Sequence, residues 1–281
     1  MSAQHWFLSR AKLRRDGDVR AIARLLIPDD DDKRVAASHR LVWSLFADVP
    51  PEQWSIAQRD ASASSKTLVL GDHRFLWHEE APGSFLIFSP HKPASTASLF
   101  DIETRPFTQW PQAGERFAFF LRANPTISLP GQAKRADGKR AGGKPVDVIM
   151  HALHATPGRK VTREPLRAGE GRALLRETML DYHENVAAGD PSGPAIDWLR
   201  RKAARNGFAL EAVRINSYRR VALQRNENSR QQDLVFGQGD FEGTLSISDP
   251  LLFCAALRSG FGRSKAFGCG LMLLARQENE R

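Results

Sequence analysis

Between residues 194 and 276 the chain carries helix and strand signals in a fixed, closely spaced order, and that order narrows the possible folds more than any other feature. "PAIDWLRRKAARN" (194–206) opens with Pro194 at a favoured first helical position and stops at Gly207. "EAVRINSYRRVAL" (211–223) and "DLVFGQGDFEGTLSIS" (233–248) read as strands joined by the polar "QRNENSRQQ". Asp249 then caps a helix, "PLLFCAALRS", whose buried face is expected to hold Leu251, Leu252, Ala255 and Ala256, with Gly260 closing it. "CGLMLLAR" (269–276) is a last apolar strand. Helix, strand, strand, helix, strand in so few residues calls for one sheet with its helices on one face.

The first half repeats the scheme less clearly. "WFLSRAKL" (6–13) reads as a strand and 28–47 as a helix. Acidic residues begin that helix, and Val35, Ser38, Val42, Leu45 and Phe46 form one stripe, before Pro50 and Pro51 end it. "RFLWHEE" (74–80) and "SFLIFSP" (84–90) flank "APG" as a hairpin. "ERFAFFLRANPT" (115–126) is a further strand broken at Asn124-Pro125, and 91–114 gives no clear signal. Two similar α/β sandwiches follow: an N-terminal domain over 1–126, a basic connecting segment over 127–193, and a C-terminal domain over 194–281.

Charge gives the first functional constraint. Lys and Arg number 41 against 32 Asp and Glu, a net +9, and residues 122–176 alone hold 12 of the cations against 4 acids. "GQAKRADGKRAGGK" within that stretch is aperiodic and glycine-rich, so it reads as a mobile basic loop. It is either a solvated linker or a contact for a polyanion such as RNA, through Arg122, Lys134, Arg135, Lys139 and Arg140. Cys254 and Cys269 are the only cysteines, which excludes a disulfide framework and a cysteine zinc site. No apolar leader or run of 18 apolar residues is present, so a cytoplasmic protein without membrane contact is expected.

"GFGRSKAFGCG" (260–270) invites comparison with phosphate-binding loops and fails it. A P-loop runs from strand to helix and ends Gly-Lys-Ser/Thr, whereas here Ser264 precedes Lys265 and the loop runs from helix to strand. The negative end of the preceding helix also points into it. The stretch is then either a tight glycine turn or a loop lying along a nucleic-acid backbone, with Arg263, Ser264 and Lys265 as its contacts. Catalytic groups are scarce: no paired carboxylates, no nucleophile elbow, and a His151-x-x-His154 pair without a third ligand. No metal or other cofactor is implied. His39 lies at the edge of the apolar stripe of its helix with Arg40 pointing outward. It is either a packed imidazole or one that moves protons beside an anion.

Five blocks, "HRLVWSLF" (39–46), "FFLRANPT" (119–126), "WLRRKAARNGF" (198–208), "FEGTLSISDP" (241–250) and "GFGRSKAFGCGLMLL" (260–274), resemble the CasE-type CRISPR RNA-processing endoribonucleases of the type I-E system, in family order. The resemblance implies an α+β fold of two tandem ferredoxin-like RAMP domains, each an antiparallel sheet with helices on one face. It also implies binding of the CRISPR repeat stem-loop, cleavage at its 3′ base and retention of the product as a subunit of Cascade with the other type I-E subunits. The family's catalytic histidine matches His39, and Arg40 follows it. Metal-independent attack by the ribose 2′-hydroxyl would use His39 as acid or base, with Arg40 and Lys265 stabilising the phosphorane. Arg219, Arg220, Arg225 and Arg230 on the hairpin at 217–230 would hold the RNA. Ala36 departs from the tyrosine that relatives often carry there, which leaves a non-catalytic RNA-binding RAMP subunit as the alternative.

Overall fold

A computed structural model describes residues 5–50, 54, 75–94, 99–129, 143, 145–155, 193–223 and 234–277. Lys134, Arg135, Lys139, Arg140, Arg225 and Arg230 lie outside these residues. The chain forms two compact units. The first comprises 1–110 with 257–260 and 264–271, and the second 111–256 with 261–263 and 272–281. Among the described residues no helix is long and apolar enough to cross a membrane.

In the first unit, β1 (Phe7–Leu13) leads into α1 (Gly17–Leu26) and α2 (Asp31–Ser44), followed by β2 (Leu76–Ala81), β3 (Ser84–Ser89) and β4 (Phe100–Pro106). The antiparallel sheet has the order β2-β3-β1-β4, with Leu8 opposite both Phe88 and Arg105. Gly83, at φ +76°, makes the expected β2–β3 hairpin turn. The Asp30 side chain accepts the Lys33 amide at 2.8 Å, fixing where α2 begins. Val35, Ser38 and Val42 are buried in α2 as the periodicity requires, and Leu45 and Phe46 just beyond it are also buried. Leu41, Val42, Leu45 and Phe46 pack on Ala11, Trp77, Phe85 and Ile87, one face of the sheet. Each such side chain removed from water contributes about 1.5–3 kcal/mol.

β4 falls inside the stretch that gave no sequence signal. Phe100 is its only buried residue, so an alternating apolar pattern is missing. Helix α1 was not foreseen either: Val19 is its one buried residue, while Ile22 and Leu25 face solvent.

In the second unit, β5 (Arg116–Ala123) is followed by the short pair β6 (Thr126–Ser128) and β7 (Pro145–Asp147) and by α3 (Val148–Ala155). Next come α4 (Pro194–Arg205), β8 (Phe208–Leu223), β9 (Leu234–Ile247), α5 (Pro250–Ser259) and β10 (Met272–Arg276), the last two separated by a 3₁₀ turn at Lys265–Phe267. The main sheet is antiparallel in the order β10-β5-β9-β8, with Leu121 between Phe241 and Met272. Taken in chain order, β5-α4-β8-β9-α5-β10 is a complete ferredoxin-like βαββαβ unit, and the strand order of the first unit is the same. The α+β expectation of two such sheets holds.

Two details differ from the sequence reading. The sequence order groups the strand at 115–126 with the N-terminal half, whereas β5 pairs with β9 and β10 and is the first strand of the second sheet. Its alternation of Phe117, Phe119, Leu121 and Ala123 marks a strand without naming its sheet. The face of α5 is also rotated: Leu251 and Leu252 are 84% and 50% exposed and Ala255 is exposed, while Phe253 and Ala256 are buried. Asp249 does cap the helix, accepting the amides of Leu251 and Leu252 at 2.9 and 3.1 Å. Phe208 sets the rotation, meeting Phe253 edge-on at 5.3 Å between ring centroids.

Candidate active site

His39 sits in the third turn of α2, one turn beyond Val35 and one before Trp43, so its ring leaves the core at the edge of the apolar stripe. It is half-buried. The Trp43 ring meets it edge-on at 5.9 Å and the Phe267 ring at 5.1 Å. Its Nδ1 lies 2.7 Å from the Ala266 carbonyl oxygen. A carbonyl can only accept, so Nδ1 carries the hydrogen and Nε2 of the neutral ring keeps its lone pair. Burial pushes the imidazole pKa below its ordinary value, opposed by the Ala266 bond and reinforced by the Arg40 charge. His39 is therefore neutral at pH 7 and ready to accept a proton at Nε2.

The glycine-rich stretch supplies that carbonyl. Ser264 adopts left-handed geometry at φ 56°, and Gly268 and Gly270 follow at φ +76° and +94°. The Phe267 amide donates to the Ser264 carbonyl at 2.9 Å and closes the 3₁₀ turn. The Trp77 indole Nε1–H also donates to the Ala266 oxygen, at 3.2 Å. A Cβ on Gly268 would stand 3.1–3.4 Å from three carbons of the Trp77 ring, so the turn rests on that indole. The glycines here serve a close approach and positive φ, and neither requires a nucleotide.

The remaining expected site residues divide between the two units. Arg40 is exposed and makes no ion pair among the described residues. Lys265 is half-buried, and its Nζ donates to the Ser259 carbonyl at the end of α5, where a cation suits the helix dipole. In the second unit, Arg263 is exposed and its backbone bridges Asn124. Arg122 forms a two-pronged pair with Asp240 at 2.7 and 2.9 Å, and Ser217 also donates to Asp240. The Arg219 Nε donates to the buried Gln238 side chain at 2.8 Å. Half-buried Arg220 acts electrostatically on the half-buried Asp147, which accepts Tyr218 Oη–H at 3.0 Å and caps α3. His151 and His154 both lie on α3, half-buried and exposed respectively.

Sequence reasoning did not find Trp77 or the Ala266 carbonyl. Trp77 looks like an ordinary core residue of a strand, and a backbone acceptor has no side-chain signature. The pair of glycines after Phe267 was the available hint.

The model of the CRISPR associated protein family matches residues 6–276. The chain belongs to this family. It is similar to the CRISPR system Cascade subunit CasE of Escherichia coli strain K12, 27% identical over 242 residues that cover 84% of this chain and 89% of that one. Among solved structures it is similar to the CRISPR endoribonuclease Cse3 bound to 19 nt RNA, at TM-score 0.53 and 21% identity over 96% of this chain and 99% of that chain. It is also similar to Thermus thermophilus Cse3 bound to an RNA representing a pre-cleavage complex, at TM-score 0.52, 21% identity and the same coverage. The CasE-type resemblance carried by the five sequence blocks is borne out, and the two solved structures share the fold.

Proposed function

We propose that this chain is an endoribonuclease that binds the repeat hairpin of precursor CRISPR RNA, cuts at its 3′ base and stays with the product as a Cascade subunit. The observation that carries the chemistry is the Nδ1–Ala266 bond of His39, which leaves Nε2 as an unprotonated acceptor at neutral pH. His39 then acts as general base, taking the proton of the ribose 2′-hydroxyl as that oxygen attacks the adjacent phosphorus. The P–O5′ bond breaks and the leaving 5′-oxygen takes a proton from water, giving a 2′,3′-cyclic phosphate and a 5′-hydroxyl. The substrate supplies its own nucleophile, so the reaction needs no metal. Arg40 is the nearest cation in sequence, exposed and without an ion pair among the described residues, and so suited to the phosphorane. Lys265 joins it only by releasing the Ser259 carbonyl.

RNA contact is assigned to Arg263 and Ser264 of the glycine-rich loop, to Arg219 and Arg220, and to Lys134, Arg135, Lys139, Arg140, Arg225 and Arg230. Arg122, matched by Asp240, contributes surface shape more than net charge. The Escherichia coli relative is named as a Cascade subunit and the solved Cse3 proteins as bound to RNA, which supports this reading. Ala36, where relatives often carry tyrosine, favours a second reading as a binding subunit without activity. Incubating wild type and His39→Ala with the repeat RNA, with and without EDTA, separates them. Cyclic-phosphate ends from wild type alone, undiminished by EDTA, are expected; intact RNA with both proteins would leave the binding subunit.

A further inference from the structure

We propose that Trp77 is a positioning residue for His39: its indole N–H holds the Ala266 carbonyl where that oxygen fixes the imidazole as the Nδ1–H tautomer. This inference rests on the assignment of His39 as general base and adds a residue that touches neither RNA nor the reacting atoms.

Ala266 belongs to a single 3₁₀ turn, a weak element that packing must hold in place. One carbonyl oxygen accepts both Trp77 Nε1–H at 3.2 Å and His39 Nδ1–H at 2.7 Å, using its two lone pairs. Trp77 is suited to be the fixed partner. It is 2% exposed, lies opposite Ile87 across the β2–β3 pair and packs edge-on against Phe85 at 5.7 Å. Gly268, lacking a side chain, lets the turn settle against the same indole. Trp77 therefore fixes the turn by ring contact and by the N–H bond at once. His39 has the greater freedom, since it is half-buried on the helix edge. Without the indole donor His39 is the carbonyl's one remaining hydrogen-bond donor among the described residues, and the proton can shift to give the Nε2–H tautomer, which has no lone pair facing the substrate.

The test uses the full chain with Trp77 replaced by benzothienylalanine, which keeps the bicyclic shape and exchanges the N–H for sulfur. Trp77→Phe serves as a second variant. Imidazole nitrogen chemical shifts report the His39 tautomer, and single-turnover cleavage and RNA affinity are measured in parallel. The expected result is appearance of the Nε2–H tautomer and cleavage slowed roughly three- to tenfold, the worth of one hydrogen bond, with the RNA Kd unchanged. A pure Nδ1–H tautomer and an undiminished rate in the benzothienylalanine protein overturn the inference. His39→Ala separates the two levels. If it still cleaves at the wild-type rate, the base assignment fails; if it is inactive while the Trp77 replacements keep rate and tautomer, only the role of Trp77 fails.

Discussion

Gly268→Ala places a single methyl group where backbone, core and candidate site meet. The residue sits at φ +76°, a region that costs an L-residue about 1–2 kcal/mol. The new Cβ would lie 3.1 Å from Trp77 Cζ3 and 3.2 Å from Cη2, and the ring is too deeply packed to retreat freely. Overfilling of this kind adds about 1–3 kcal/mol. The sum is about 2–5 kcal/mol, which at about 2 kcal/mol per M lowers the urea midpoint by ~1–2.5 M. Gly17→Ala is the internal control: nothing lies within 4 Å of its Cβ position and its φ is not positive. At the start of α1 it should raise stability by about 0.4–1 kcal/mol. Urea unfolding followed by tryptophan fluorescence measures both. Equal midpoints for the two variants, or no loss in Gly268→Ala, would show that the turn does not rest on the Trp77 ring.

The other predictions concern charge and protonation. Burial holds the Asp147 carboxyl above its ordinary pKa, so the fold favours its protonated form. The resulting stability is present below the unfolded-state pKa of 3.8 and is lost as pH rises through the folded value. The Tyr218 hydroxyl bond opposes that loss, so Tyr218→Phe should cost about 1–3 kcal/mol, most at neutral pH; a penalty independent of pH would contradict this. For cleavage, a general base held below the ordinary histidine pKa of 6.5 predicts a rate flat above that value. The rate should then fall on acidification with a midpoint below 6.5, and a rate that declines as pH rises would make His39 the acid instead. In RNA binding, Arg263→Ala should reduce the salt slope by about one unit while Arg122→Ala, paired with Asp240, leaves it nearly unchanged. Equal reductions would show that the ion pair opens on RNA.

Much of the second sheet was legible because its elements are short, capped and joined by polar turns. Asp249 and Gly260 announce the ends of α5, and Pro194 and Gly207 those of α4. On α5 the sequence offers Leu251, Leu252, Ala255 and Ala256 as a helical stripe as readily as Phe253, Ala256 and Leu257, the residues that are buried, and Ala256 belongs to both. Only the position of Phe208 decides between them. β5 was correctly a strand and wrongly grouped, since alternation specifies a face and not a partner. β4 escaped notice because it is an edge strand with a polar surface. At the candidate site, the helix periodicity placed His39 at the boundary of the core. The acceptor that fixes its tautomer lies 227 residues away in sequence and is a main-chain atom, beyond any pattern of side chains.

In the proposed reaction the RNA supplies the nucleophile and His39 activates it. Repeat RNA carrying a 2′-deoxy nucleotide at the cut site tests this most directly, with binding and single-turnover cleavage measured on the same substrate. Wild-type affinity and no cleavage are expected. Cleavage of the deoxy substrate at the normal position would contradict this mechanism.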